Sequence, residues 1–213
     1  MARAGILSLL FLAACTVRAG SVAFRFTDQD DAPVVDVVLS LHPLDAPPPS
    51  AAADRRLEIP QQGQEFLPYV SAIRKGARLV LPNTDTVEHH VYSQSEAATF
   101  NFPLYQPGTA ESVVLDKTGV VTIGCNIHDW MIAHVVVVDT PWFGTSGGDG
   151  IVSLSGLPAG RYRAEIWQPR LRRALEQELV VADEGSVSES LSLALRPDRR
   201  IRRPANFDPG SYP

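Results

Sequence analysis

The feature that most restricts this chain is its punctuation. Short runs rich in β-branched, aliphatic and aromatic residues recur along it, each bounded by Gly, Pro, Asp or Asn. The runs are Ser21–Thr27, Val34–His42, Phe66–Ile73, Ala77–Pro82, Ser112–Leu115, Val120–Cys125, Ile132–Asp139, Ile151–Leu154, Tyr162–Trp167, Glu176–Val181 and Val187–Leu193. Such side chains suit a pleated surface, and the bracketing turn residues stop each run before a helix can propagate. The spacing predicts an all-β chain built as sandwiches or barrels. One stretch, Leu171–Leu179, has a helical composition, but it is of marginal length and reads as a loop entering a strand. A hydrophobic content of 45% supports a packed core and excludes wholesale disorder. The formal net charge of -5 argues against a globally basic nucleic-acid binder.

Residues 1–19 read as a secretory signal and not as fold. Arg3 precedes the apolar run Gly5–Ala14, which is too short to span a bilayer in a mature protein. Two cleavage sites compete. Leu12-Ala13-Ala14-Cys15 resembles a lipobox that would leave a lipid anchor on Cys15, whereas Val17-Arg18-Ala19 resembles an ordinary small-residue site that would release a soluble chain. Either route places the mature chain beyond an inner membrane, in a periplasm. No other segment is apolar and long enough to be transmembrane.

Two composition breaks divide the rest. Asp45-Ala46-Pro47-Pro48-Pro49-Ser50 and the alanines after it cannot form a strand, because proline offers no ladder donor. Gly144–Gly150 is a Gly/Ser turn region. Between these breaks lies one compact unit, bounded at about 54–143. The flanking pieces, 20–46 and 146–196, are each too short to bury an apolar face alone. They are expected to join as a discontinuous second sandwich into which the central unit is inserted. From residue 197 to 213 the chain is arginine-rich and poor in apolar residues, which reads as a disordered basic tail.

Once residues 1–19 are removed, Cys125 and Met131 carry the remaining sulfurs, apart from Cys15 if the lipobox is used. A single thiol in an oxidising compartment makes no internal disulfide, so it is either a buried inert group or a metal-held thiolate. Its surroundings favour the second. The local segment is Gly124-Cys125-Asn126-Ile127-His128-Asp129-Trp130-Met131, and upstream stands Pro82-Asn83-Thr84-Asp85-Thr86-Val87-Glu88-His89-His90-Val91. Two imidazoles, a thiolate and a weak axial thioether form the ligand set of a blue-copper electron-transfer site. A tight loop after Val120–Cys125 can aim Cys125, His128 and Met131 at one point, and His89 arrives from another strand end. A catalytic zinc would need an open position and a base, and Met131 offers neither.

These residues also carry a family resemblance. Cys125-x-x-His128-x-x-Met131, followed by a valine-rich strand, resembles the ligand loop of amicyanin within the cupredoxin (type 1 blue copper) family. Gln64-Glu65-Phe66-Leu67-Pro68, Pro82-Asn83-x-Asp85, His89-His90-Val91-Tyr92-Ser93 and the Cys125–Met131 loop resemble bacterial methylamine utilisation-type cupredoxins, over about residues 57–143. The resemblance implies a Greek-key β-sandwich with one type 1 copper per chain, held by His89, Cys125, His128 and Met131. It implies single-electron transfer to a redox partner such as a dehydrogenase or cytochrome c, in amine oxidation, by a monomer that is not an enzyme. Copper binding or delivery without a redox circuit is the alternative. There are two departures: His90 stands where amicyanin-type members have Asn, and Asn126-Ile127 replaces a loop containing proline. Because neighbouring side chains in a strand face opposite ways, His89 and His90 cannot both be simple ligands, and His90 is expected at the surface or behind the ligands.

Other groups read as structural. His42 ends a strand, and His134 is expected as a half-buried sheet residue. Trp130 is either core or an exposed aromatic where a partner docks. In the outer pieces, Phe26-Thr27-Asp28-Gln29-Asp30-Asp31-Ala32-Pro33-Val34 and Gly156-Leu157-Pro158-Ala159-Gly160-Arg161-Tyr162 resemble the carboxypeptidase regulatory-like, transthyretin-type sandwich. No nucleophile elbow or phosphate-loop motif occurs.

Overall fold

The computed structural model describes residues 19–49 and 56–204. The leader to residue 18 with Cys15, linker residues 50–55 and tail residues 205–213 lie outside the described residues. Among the described residues there is no helix, and the chain is all-β. Among these residues no helix is long and apolar enough to cross a membrane.

The strands are β1 Gly20–Thr27, β2 Val38–Pro43, β3 Arg56–Glu58, β4 Val70–Arg74, β5 Ala77–Pro82, β6 His89–Ser95, β7 Ala98–Tyr105, β8 Ala110–Leu115, β9 Gly119–Cys125, β10 Ile132–Val138, β11 Phe143–Thr145, β12 Ile151–Leu157, β13 Gly160–Trp167, β14 Leu175–Val181 and β15 Ser186–Ser192. They pair into four sheets: β12-β1-β15, β11-β2-β13-β14, β4-β10-β9-β6-β7 and β3-β5-β8.

The first two sheets enclose one core. Every second residue of β1 (Val22, Phe24, Phe26) and of β13 (Tyr162, Ala164, Ile166) turns into it. That alternation follows from the two-residue period of a strand with one buried face. The other two sheets enclose a second core containing Leu79, Leu81, Val91, Val121, Ile123 and Ala133. β2 leaves the first core toward residue 56, and β11 returns beside it, with Phe143 opposite Ser40. Among the described strands β2 pairs with β11 and β13.

β10 is buried on both faces. Ala133, Val135 and Val137 belong to the second core, while Val136 and Val138 pack with Val38 and Val70 in a junction between the two sandwiches, rimmed by Tyr69, Phe143 and Trp167. This double burial explains the unbroken run Val135-Val136-Val137-Val138, which a half-exposed strand would not tolerate.

The structure differs from the sequence expectation in several elements. β2 starts at Val38 instead of Val34, because Asp36 holds a left-handed backbone (φ 62°) that ends any ladder before it. β4 starts at Val70, beyond Pro68, which has no N–H to give. β6 and β7 do not stand among the composition-marked runs, although a strand was implied at His89: β6 is rich in His, Ser and Gln, and β7 is interrupted by Pro103. They form because each pairs with a neighbour, and β7 tolerates Pro103 because it is the edge of its sheet.

Gly150 closes the first core at the base of β12. Its φ is 70°, and a Cβ there would stand 2.5 Å from the carbonyl oxygen of Phe26, whose own N–H donates to Gly150 O at 2.8 Å. Gly150→Ala should therefore lower unfolding stability by at least about 1–3 kcal/mol, measured by urea denaturation. Gly148→Ala, which meets nothing within 4 Å, should change it far less.

Candidate metal centre

The segment after β9 turns back at once. The Cys125 N–H donates to Met131 O (3.2 Å) and the Met131 N–H donates to His128 O (3.0 Å), so seven residues close into a loop before β10 begins. This closure swings His128 back over Cys125, and its Nδ1 lies 3.6 Å from the sulfur. From the other side, His89 opens β6 and places its Nδ1 3.8 Å from the same sulfur. The three donor atoms lie within 4.8 Å of one another, and all three residues are buried. Met131 is 2% exposed, in the same core cluster as Cys125 and Trp130. Thus three of the four expected ligands converge by donor atom, and the fourth is buried at the end of their loop.

The spacing suits a metal ion. With metal–nitrogen bonds of roughly 2.0 Å and metal–sulfur bonds of roughly 2.3 Å, neighbouring donors at tetrahedral to trigonal angles stand roughly 3.5–3.8 Å apart. The two sulfur–nitrogen distances fall in or beside that range.

The surrounding groups fix the donors. His89 Nε2 lies 2.9 Å from Asp85 Oδ2, which leaves Nδ1 free to face the sulfur. Asp85 is in turn held by the backbone N–H groups of Gly63 (2.5 Å) and Gln64 (2.8 Å). Carboxylates in this position orient a ligating imidazole and set its tautomer. Asn83 stiffens the same approach, donating to Val87 O and Tyr105 O and accepting from the Asp85 N–H. The sequence alone assigns no role to Asp85. Its signal was the four-residue offset from His89, which becomes meaningful only when the turn at 63–64 is known.

Trp130 is 7% exposed, and its Nε1–H donates to Gln64 O at 2.9 Å. The structure therefore places it in the core, stapling the ligand loop to the Gln61–Glu65 turn. His90 points away from the sulfur and meets Asn101 Oδ1 at 2.6 Å. Its backbone carbonyl accepts the Asn126 N–H (2.9 Å), so a main-chain bond ties the two ligand segments together.

His128 is only 6% exposed. The rings of His89 and Trp130 flank it, with centroids 5.0 and 5.4 Å away. Burial holds both imidazoles below their ordinary titration range, against the pull of Asp85. Burial likewise raises the Cys125 thiol, and the backbone N–H groups of Ile127, His90 and His128 near the sulfur partly offset this. Two neutral imidazoles and a thiol are ready donors for a cation. A metal must displace only the thiol proton, so its affinity should weaken as pH falls.

The remaining histidines sit apart. His42 Nδ1 pairs with Asp139 Oδ1 at 3.0 Å. His134, on β10, lies 3.0 Å from Thr122 Oγ1 and packs edge-on against Tyr69 and Trp167. Burial, aided by Arg200, pushes its pKa down to about 4. The unfolded chain takes up this proton first, near the ordinary pKa of 6.5. Stability from this group is therefore complete above about pH 6.5 and is lost as pH falls toward about 4. Urea unfolding at pH 7 and at pH 4.5 should show a loss larger by roughly 2–3 kcal/mol in the native chain than in His134→Gln.

No protein-family model matches the chain, and no curated protein matches it. Solved structures are similar in part. A purple cupredoxin from Nitrosopumilus maritimus aligns at 24% identity over 40% of this chain and 100% of its own, with a TM-score of 0.34. A copper-containing nitrite reductase from Thermus scotoductus aligns at 20% identity over 46% of this chain and 25% of its own, with a TM-score of 0.38. A Cu(I) form of an amicyanin variant aligns at 18% identity over 40% of this chain and 85% of its own, with a TM-score of 0.37.

Proposed function

We propose that this chain is a type 1 copper protein that carries single electrons. The observation that supports it most is the buried convergence of His89 Nδ1, Cys125 Sγ and His128 Nδ1, with sulfur–nitrogen distances of 3.8 and 3.6 Å. His89, Cys125 and His128 would hold one copper, and Met131, the soft thioether at the end of their loop, would be the weaker fourth donor. When bound, copper supplies a reversible one-electron couple.

The chain's own residues do the rest. Asp85 and the 125–131 loop closure keep the donors in place in both oxidation states. The backbone N–H groups at the Cys125 sulfur favour the electron-rich thiolate of the reduced state. The buried shell excludes water and competing ligands. In this reading the 54–143 unit is a cupredoxin carried as an insertion in a regulatory-like, transthyretin-type sandwich formed by 20–46 and 146–196. The protein works in a periplasm after loss of residues 1–19, as a monomer. It makes and breaks no substrate bonds, and it passes electrons between a dehydrogenase and a cytochrome c in amine oxidation.

One observation favours a second reading. His128, whose ring edge would serve as the electron port, is 6% exposed. A copper-delivery or storage protein would use the same ligands without needing that edge. Titration of the metal-free protein with Cu(II), followed by an absorbance scan, separates the two. An intense band near roughly 600 nm at one copper per chain supports electron transfer. A site that holds only colourless Cu(I) supports delivery.

A further inference from the structure

The segment after β15 does not leave the molecule directly. The Arg196 guanidinium is used up on three backbone oxygens, donating from Nε to Arg170 O (3.2 Å) and from Nη2 to Pro169 O (3.3 Å) and Leu171 O (3.0 Å). Arg170 answers by donating from Nε to Arg196 O (2.7 Å). Four residues on, the Arg200 Cζ lies over the Tyr69 ring, 3.9 Å from its centroid, with its side chain 13% exposed. Residues 197–204, expected as part of a solvated tail, are thus strapped from the outer sandwich onto the central one, without helix or strand.

The strap encloses a cleft of about 580 Å³, floored by Tyr69, Ile132 and His134 and bordered by Asp129 of the ligand loop. Five arginines line it, Arg170, Arg172, Arg196, Arg199 and Arg200. The lining carboxylates are Asp129 and Asp198, and Asp198 is already bonded to Arg202 (2.6 Å) and to the Arg200 N–H (2.9 Å). The Arg200 Nε is buried and has no hydrogen-bond partner. Its nearest carboxylate contact, Glu65 Oε1, is 3.9 Å from Nη2, beyond hydrogen-bond range. Arg172 and Arg199 are exposed at the rim.

Cations gathered like this in a chain of net charge -5 repel one another unless an anion sits among them. Planar guanidinium forks match the paired oxygens of carboxylate and phosphate groups. The cleft has the volume of an ordinary small-molecule site, far more than one inorganic ion needs. Arg196 and Tyr69 hold the strap in place beforehand, so an incoming ligand would not have to order it. We propose that this cleft binds a small multivalent oxyanion, such as a tricarboxylate or an organic phosphate, beside the ligand loop. The site shares no donor with the His89–Cys125–His128 cluster, so its failure and that of the copper reading are distinguishable.

Isothermal titration calorimetry of the full chain with citrate, and separately with inorganic phosphate, at constant ionic strength tests this. The expected result is saturable one-to-one binding of at least one anion. Tighter citrate identifies a carboxylate ligand, and tighter phosphate a phosphate ligand. Replacing the rim pair, Arg172→Gln with Arg199→Gln, should weaken binding about tenfold or more while leaving the fold intact, since neither side chain is buried. Arg56→Gln, on the distant strand β3 where Arg56 pairs with Glu58, should leave it unchanged. Absence of saturable heat with both anions would overturn the proposal, as would equal weakening by Arg56→Gln. Binding of a polyglutamate peptide without either small anion would overturn it in favour of an acidic protein partner.

Discussion

Replacing Cys125 with serine is expected to abolish completely the intense visible absorption that Cu(II) gives the native chain. The band requires a copper–thiolate bond, and a hydroxyl is too hard and too weakly acidic to replace it. Cys125 is 5% exposed and differs from serine by one atom, so the fold should survive. Circular dichroism of the metal-free variant checks this. Met131→Gln should behave differently. An axial donor tunes the site and does not anchor it, so the colour should persist and the reduction potential should fall, as measured by redox titration. A serine variant that kept the native band would remove Cys125 from the site. A glutamine variant that lost all copper would make Met131 an anchor.

The second large effect separates adjacent histidines. His89→Ala should lose the visible band and bind copper far more weakly, while His90→Ala should keep both. The pleat of β6 puts His89 against the sulfur and turns His90 to Asn101, 2.6 Å away. His89→Ala should also destabilise the metal-free chain by about 1–3 kcal/mol, because Asp85 loses one of its three partners inside the structure. The spectrum and metal content of both variants, with urea unfolding of the metal-free forms, decide the matter. If the roles are exchanged, the register of β6 is off by one residue.

Much of the centre was legible because it is local. Cys125, His128 and Met131 fall within one seven-residue loop, and the strands on either side, Val120–Cys125 and Ile132–Asp139, announce themselves by β-branched composition. A strand, a short loop and a strand leave the chain few ways to turn, so these residues had to lie near one another. His89 came from a motif in a separate segment, and pleat alternation singled it out from His90. The discontinuous pairing of residues near 20–43 with those beyond 143 was expected from burial. In the structure β1 lies beside β12 and β15, and β2 lies beside β11 and β13.

What the sequence by itself determined is therefore the all-β class, the punctuation of most strands and the donor chemistry of the ligand loop. Each rests on side-chain type and on contacts within a few residues. Only the tertiary structure decided which groups surround those donors. Asp85 becomes the orienting partner of His89 because a left-handed turn at Gly63 and Gln64 aims two N–H groups at its carboxylate. Trp130 enters the core because that same turn offers it a carbonyl. The polar strand β6 is held against β9 more than thirty residues on, with Val91 opposite Cys125, and the sandwich junction joins Val38 to Val136, about a hundred residues apart. His128 is buried by rings from elsewhere in the chain and its own loop, and the arginine strap lies where Tyr69 and the carbonyls near Arg170 hold it. Most of these depend on residues far apart in sequence meeting in space. Composition and period carry no record of such meetings, because they report on neighbours along the chain and not across it.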